Sequence, residues 1–340
     1  MGPRPLEQHG EARQHAGVTP ERPTVIAIGG HSLLDPDLPP TVANQFAVTR
    51  RAVEPIADLL ERGDHLVLTH GNGPQVGFMQ LRSEIARGSL PEVPLDSLVA
   101  DSQGAMGYMI EHALRAEMRR RDHDDPIVTI VTEVEVDADD PAFTNPDKPI
   151  GRFFDFADIE ALERVRGWKM MVDPKRGARR VVPSPQPRRI VQLRTIEQLT
   201  ELGITVICCG GGGIAVSLDD SGNLVGREAV IDKDRVSMLL AVRLGAPRFV
   251  ITTSVDRVYV DFDTDTPRAL DELRRDEAVA LHAEGQFPAG SMGPKIEAAI
   301  DYLDAIDGEV TICHPDQLVE AIDGNAGTRI HRSPENRNTA

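Results

Sequence analysis

Three times in this chain a short, apolar, β-branched run ends directly in glycines. Thr24-Val25-Ile26-Ala27-Ile28 runs into Gly29-Gly30, His65-Leu66-Val67-Leu68-Thr69 into His70-Gly71-Asn72-Gly73, and Ile204–Cys209 into Gly210-Gly211-Gly212-Gly213. Runs of this kind suit strands buried on both faces, as in a parallel sheet covered by helices. Glycine at the carboxyl end of such a strand clears side chains from the place where open α/β sheets bind ligands. Four consecutive glycines are entropically costly, and a flexible linker would lack the apolar flanks. For Gly29-Gly30 alone, a tight turn is an equally good explanation, and the G-x-G-x-x-G dinucleotide spacing is absent.

Helical periodicity fills the intervals: Val42–Glu61, Pro74 to about Arg87, Asp101–Arg121, Ile190–Leu202 and Asp232–Leu244. Gly290-Ser291-Met292-Gly293-Pro294-Lys295 opens a further helix to about Leu303. Strands are expected at Ile127–Val131, Phe249–Thr253 (with Asp256–Val260 as a continuation or partner) and Val310–Cys313, a short helix at Pro315–Ile322, and an edge strand at Thr328–His331. This alternation predicts an α/β fold with a largely parallel sheet covered on both faces. Residues 137–184 break the rhythm. The proline-rich stretch Asp140–Gly151 reads as too irregular for a core element; a short helix near Phe156–Val165 and strands near Trp168–Val172 and Arg179–Val182 follow. The segment is expected to protrude as a lid, a device that closes sites against water. Residues 1–22 and 332–340 read as tails around one domain, 23–331.

Charge excludes some partners. A net charge of −17 argues against nucleic acid and against an anionic membrane surface. No apolar run is long enough to span a bilayer, and the opening segment lacks the apolar core of a signal peptide. Cys208, Cys209 and Cys313 have no metal-type spacing, which predicts reduced thiols in a cytosolic protein.

Lysine is scarce: 5 of the 37 basic residues, namely Lys148, Lys169, Lys175, Lys233 and Lys295. Two of them fall where a cation is a poor choice. Ile231-Asp232-Lys233-Asp234 and Gly290–Lys295 each place a lysine in the first turn of an expected helix, whose amino end is already partly positive. That position is a ready anion site, so a phosphate-bearing ligand is the expected partner of both lysines. Asp232 is the expected N-cap, and Asp234 stands where it can orient Lys233; an ordinary surface pair would look the same in sequence. Lys148 lies between Pro146 and Pro149, in a stiff setting for a surface lysine.

Taken in order, Gly29-Gly30, His70-Gly71-Asn72-Gly73-Pro74-Gln75-Val76-Gly77, Asp140–Gly151, Val181–Pro185, Gly210–Gly213, Ile231–Asp234 and Gly290–Lys295 resemble carbamate kinase, a branch of the amino-acid kinase family, over residues 23–331. The resemblance implies a three-layer αβα sandwich around a mainly parallel eight-stranded sheet, and a homodimer in the cytoplasm. It implies ATP/ADP as the nucleotide with Mg²⁺, and no protein-held metal site. Lys233, Lys295, Asp234 and Lys148 would be catalytic. Gly29, Gly30, His31, Gly71, Asn72 and Gly73 would hold the acceptor. Gly210, Gly211, Gly212, Gly213, Lys233, Ser254, Met292, Gly293 and Lys295 would hold the nucleotide.

The implied reaction is ATP plus carbamate giving ADP and carbamoyl phosphate, in either direction. Such an acceptor is already ionised and needs no general base. Five departures from the family pattern stand out: His31 for asparagine, Asp101 for methionine, Glu133 for glutamine, Ala178 for an aromatic residue and Ser254 for aspartate. They keep two alternatives open, a kinase for another small carboxylate or nitrogen-containing acceptor, and a catalytically silent nucleotide-binding regulator.

Overall fold

The computed structural model describes residues 22–35, 37–262 and 264–332, so the expected tails fall almost wholly outside it. Its central sheet has eight strands: β1 (Thr24–Ile28), β2 (Leu66–His70), β3 (Ile127–Thr129), β4 (Thr205–Ile207), β5 (Arg248–Thr252), β6 (Glu272–Arg274), β7 (Glu309–Cys313) and β8 (Thr328–His331). In space they run β6-β8-β7-β5-β1-β2-β4-β3. All neighbours are parallel except β7 and β8.

The helices are α1 (Val42–Glu61), α2 (Gly73–Ala86), α3 (Leu95–Arg120), α4 (Ile159–Arg166), α5 (Leu193–Glu201), α6 (Lys233–Leu244), α7 (Arg275–Ala283), α8 (Gly293–Ala305) and α9 (Leu318–Ile322). Strand side chains alternate between two cores. Ile26, Leu68 and Val250 pack with α1, α3 and α9. Val25, Ala27, Val67, Phe249 and Ile251 pack with α5, α6 and α8. The sandwich is thus αβα, and every strand residue of β1 is buried, which is why the run carries no polar face.

A separate three-stranded antiparallel sheet, ordered Lys148–Phe154, Gly177–Val182, Lys169–Asp173, lies with α4 in the segment expected to protrude. Four further strands, Glu133–Val136, Pro187–Ile190, Ile214–Leu218 and Leu224–Gly226, form another small sheet, and Val258–Val260 pairs with Arg268–Leu270.

Several expectations are corrected. Lys148–Phe154 is a strand despite Pro149, because it lies at the edge of its sheet, where a missing N–H is tolerated. Ile190 ends a strand, and α5 begins only at Leu193. Helix α3 starts at Leu95, six residues before the expected Asp101, because Pro94 supplies the entry. Strand β8 is interior rather than an edge, covered by β6.

Candidate active site

The glycine ends of β1, β2 and β4 meet one another. Gly29 N–H donates to Thr252 Oγ1 at 3.0 Å, and a Cβ at Gly29 would stand 2.8 Å from Thr252 O. Gly30 opens a 3₁₀ turn to Leu33 that includes His31. A Cβ on Gly71 would sit 2.8 Å from Gly30 N, so these two loops touch backbone to backbone. The four-glycine turn closes the group from the other side. Gly211 has φ +64° and its absent Cβ would overlap the Asn72 amide; Gly212, at φ +91°, would meet Ile231 O, at the entry to α6. Glycine here is therefore demanded by chain-to-chain approach, and the expected ligand loops double as the joint between the two halves of the sheet.

Asn72 is held in place by donating Nδ2–H to Ser102 Oγ at 2.6 Å, and Ser102 donates to Val99 O at 2.7 Å. Gln103 clamps Thr132 through both backbone groups at 2.8 and 3.0 Å, and Thr132 Oγ1 accepts from Cys209 N–H at 3.0 Å. His70 lies under Gly210, and burial pushes its pKa down to about 4, with the Lys233 charge acting the same way and its contact with Gly71 O opposing. The ring is neutral at neutral pH.

Beside this joint, two helix N-termini converge. In α6, Asp232 is the N-cap, accepting from the N–H groups of Asp234 and Arg235 at 2.9 and 3.3 Å, and Gly245 closes the helix at φ +60°. Lys233 and Asp234 follow in the first turn. In α8, Gly293-Pro294-Lys295 forms the first turn with no side-chain cap and no acidic residue. Asp234 supplies the missing charge to both helices: its Oδ1 lies 2.8 Å from Lys233 Nζ and its Oδ2 2.8 Å from Lys295 Nζ. Lys148 reaches across from the small three-stranded sheet to Asp232 Oδ2 at 3.0 Å.

Burial would raise the Asp234 pKa, but the ammonium groups of Lys233 and Lys295 outweigh it and hold the carboxyl well below the usual range. Burial lowers Lys233, with Asp234 opposing and Lys295 assisting. Lys233 Nζ meets Asp234 Oδ1 as an ion pair, and among the described residues no other side chain takes up its remaining donors. Three lysines against Asp232 and Asp234 make a net cationic, partly desolvated cluster, suited to an oxyanion. The stem of Lys233 passes 3.7 Å from the position a Cβ on Gly71 would take, which ties the cluster to the glycine loops. Lysines and backbone amides suit phosphate oxygens, whereas a divalent cation would need carboxylates. Among the described residues no three His, Cys, Asp or Glu side chains gather as a metal site.

Other expected residues are less engaged. Met292 packs half-buried at the start of α8. Ser254 is exposed in the loop after β5. Asp101 is exposed on α3, Glu133 exchanges hydrogen bonds with Gln192 at 2.9 and 3.0 Å, and Ala178 is buried in the small sheet. Sequence reasoning missed the Lys148 partner, since Asp232 read only as a cap, and missed the supports Ser102, Thr132 and Thr252, whose partners are 30 or more residues away. All three cysteines are buried free thiols.

Residues 22–314 match the amino acid kinase family. A carbamate kinase of Pyrococcus furiosus is 41% identical over 308 residues, covering 90% of this chain and 98% of its own. The carbamate kinase-like protein YahI of Escherichia coli is 41% identical over 309 residues, again 90% and 98%. The solved structure of a carbamate kinase from Giardia lamblia bound to AMP-PNP superposes with a TM-score of 0.87 at 36% identity, covering 93% of this chain and 100% of that one.

Proposed function

The chain belongs to the amino acid kinase family, in its carbamate kinase branch, and from that premise we propose that it transfers the terminal phosphoryl group of ATP to carbamate. The products are ADP and carbamoyl phosphate, and the reverse reaction uses the same site. The observation that carries this reading is the Lys233–Asp234–Lys295 bridge between two helix N-termini.

Phosphoryl transfer asks the protein for charge neutralisation and in-line placement rather than covalent help. Lys233 and Lys295 would take up phosphate oxygens of the nucleotide and of the group in flight. Asp234 holds the two ammonium groups at fixed positions until the phosphates arrive. Lys148 brings a third cation from the inserted segment, which would act as a lid over the site. Gly29, Gly30, His31, Gly71, Asn72 and Gly73 would surround the acceptor. Gly210–Gly213, Ser254, Met292 and Gly293 would line the nucleotide side. Mg²⁺ would enter with the nucleotide, held by its phosphate oxygens. The family resemblance supports a homodimer and a cytoplasmic setting. Among the described residues no helix is long and apolar enough to cross a membrane.

The test is ADP release with ATP, Mg²⁺ and ammonium bicarbonate, paired with ATP formation from carbamoyl phosphate and ADP. Turnover in both directions is expected. Intact ATP binding with turnover in neither would remove carbamate, leaving a different acceptor, as the departure at His31 allows, or a silent nucleotide-binding protein.

A further inference from the structure

Gln75 carries a buried amide with nothing to bond. Its residue is 4% exposed, and among the described residues neither Nε2 nor Oε1 has a hydrogen-bond partner. Buried amides are nearly always paired, so an orphan in a well-packed region marks a missing partner.

Its position says where that partner sits. Gln75 is the third residue of α2, the place from which a glutamine normally reaches back to the N-cap amide. No such box forms here, since the Asn72 side chain makes no cap and is turned to Ser102 instead. Helical side chains tilt toward the amino end, so the Gln75 amide is directed back at the first turn of α2. The N–H groups of Gly73 and Gln75 have no partner within the helix, and Pro74 has none to offer; Val76 is the first to bond back, to Asn72 O at 2.9 Å. Gly73, in the same turn, has nothing within 4 Å of where a Cβ would stand. Immediately before it, Gly71 abuts Gly30 and the stem of Lys233. A buried, unpaired amide and open helix amides thus lie within one turn of Gly71, the loop that touches the lysine cluster.

We propose that Gln75 is the residue that distinguishes carbamate from other small carboxylates, through a pair of hydrogen bonds to its amide-like edge. Nε2–H donates to an acceptor oxygen, and Oε1 accepts an N–H of the acceptor's amino group. This rests on the carbamate reading above. Acetate presents a methyl group where carbamate presents the amine, which leaves Oε1 buried and unpaired, and sites built on such a bond reject the analogue strongly.

Two acyl phosphates make the probe, carbamoyl phosphate and acetyl phosphate, each with ADP in the ATP-forming direction. Gln75→Met keeps the volume and removes both polar atoms. It is expected to narrow the preference for carbamoyl over acetyl phosphate in kcat/KM by about ten-fold or more, to leave the KM for ADP unchanged, and to hold or raise the melting temperature, because the orphan amide is gone. Gln75→Glu serves as a second variant: its carboxylate faces an anionic substrate, so KM for carbamoyl phosphate should rise by about ten-fold or more with ADP unaffected. An unchanged preference in Gln75→Met together with a lower melting temperature would make Gln75 purely structural and overturn the proposal. A wild-type protein that turns over neither acyl phosphate would overturn the carbamate reading and this inference together.

Discussion

Asp234→Asn is the sharpest perturbation, because one carboxylate holds two lysines. Each ion pair at 2.8 Å is worth about 6 kcal/mol at an effective dielectric of ~20, before desolvation is counted. Most of that is offset by taking the charges out of water, and removal of one partner from a buried pair costs about 3–5 kcal/mol. The upper part of that range applies, since two cations are left facing each other at two positive helix ends. For roughly 300 ordered residues, at about 2.1 cal/mol/K each, the loss lowers Tm by about 6–8 °C.

The assay is thermal unfolding of wild type, Asp234→Asn, Lys295→Met and the double variant, with and without ATP. The double variant should lose less than the sum of the singles, because Lys295→Met removes the charge that Asp234→Asn leaves stranded. Saturating ATP should raise the melting temperature of Asp234→Asn by more than that of wild type, as phosphate replaces the missing anion. The pH dependence has a defined sign. Asp234 has a depressed pKa in the fold, so its contribution is complete above the ordinary carboxylate pKa of about 3.9 and fades as pH falls below it. The stability gap between wild type and Asp234→Asn should therefore persist throughout the neutral range. A variant melting within a degree of wild type, with additive losses in the double variant, would refute the bridge as an electrostatic element.

Three further outcomes follow from the same geometry. Between its ordinary pKa of 6.5 and about 4 in the fold, His70 stays neutral while the unfolded chain binds a proton, so acidification across that window removes about 3 kcal/mol; in urea titrations His70→Asn should show a flatter stability profile there. Gly211→Ala forces a side chain into the Asn72 amide at φ +64° and should cost about 2–5 kcal/mol with loss of turnover, whereas Gly63→Ala, at φ +91° with nothing nearby, should cost only about 1 kcal/mol. Lys148→Met should shift stability by less than about 1 kcal/mol, as its pair with Asp232 is partly exposed, yet lower kcat by about 10²-fold or more in steady-state assays if it meets the transferred group.

The parts of this molecule legible in sequence are those whose physics is local. Strands buried on both faces announce themselves as β-branched runs, and β1, β2, β4 and β5 were expected to within two residues at each end. Helix α7 went unseen because Arg275–Ala283 has a weak apolar face and buries only Ala278. Strand Lys148–Phe154 hid behind its prolines, since nothing in sequence says that a strand will lie at an edge. The cluster divides in the same way. A lysine in the first turn of a helix is a visible anomaly, so Lys233 and Lys295 stood out one by one. Their shared partner did not, because bringing the Lys295 ammonium of α8 to within 2.8 Å of Asp234 is the work of the sheet and the core that packs α6 against α8.

That division also explains why the two ends of the site differ in how firmly sequence marks them. A phosphate is recognised by charge and by bare backbone, and both leave signatures at single positions: a scarce cation, a run of glycines. A small acceptor with an amide-like edge is told from its analogues by hydrogen bonds, and the residue that makes them looks ordinary in sequence. Gln75 sits inside a motif already singled out for its glycines and proline, yet its meaning emerges only when burial and missing partners are known together. The glycines, conversely, looked like ligand contacts and prove to be constrained first by the chain itself: Gly211 by Asn72, Gly212 by Ile231, Gly71 by Gly30. A loop fitted that tightly to its neighbours cannot adjust to a new acceptor by moving. Discrimination between acceptors must then fall to side chains beside it, which is why a change at Gln75 should alter substrate preference while substitutions in the glycine turns should simply abolish activity.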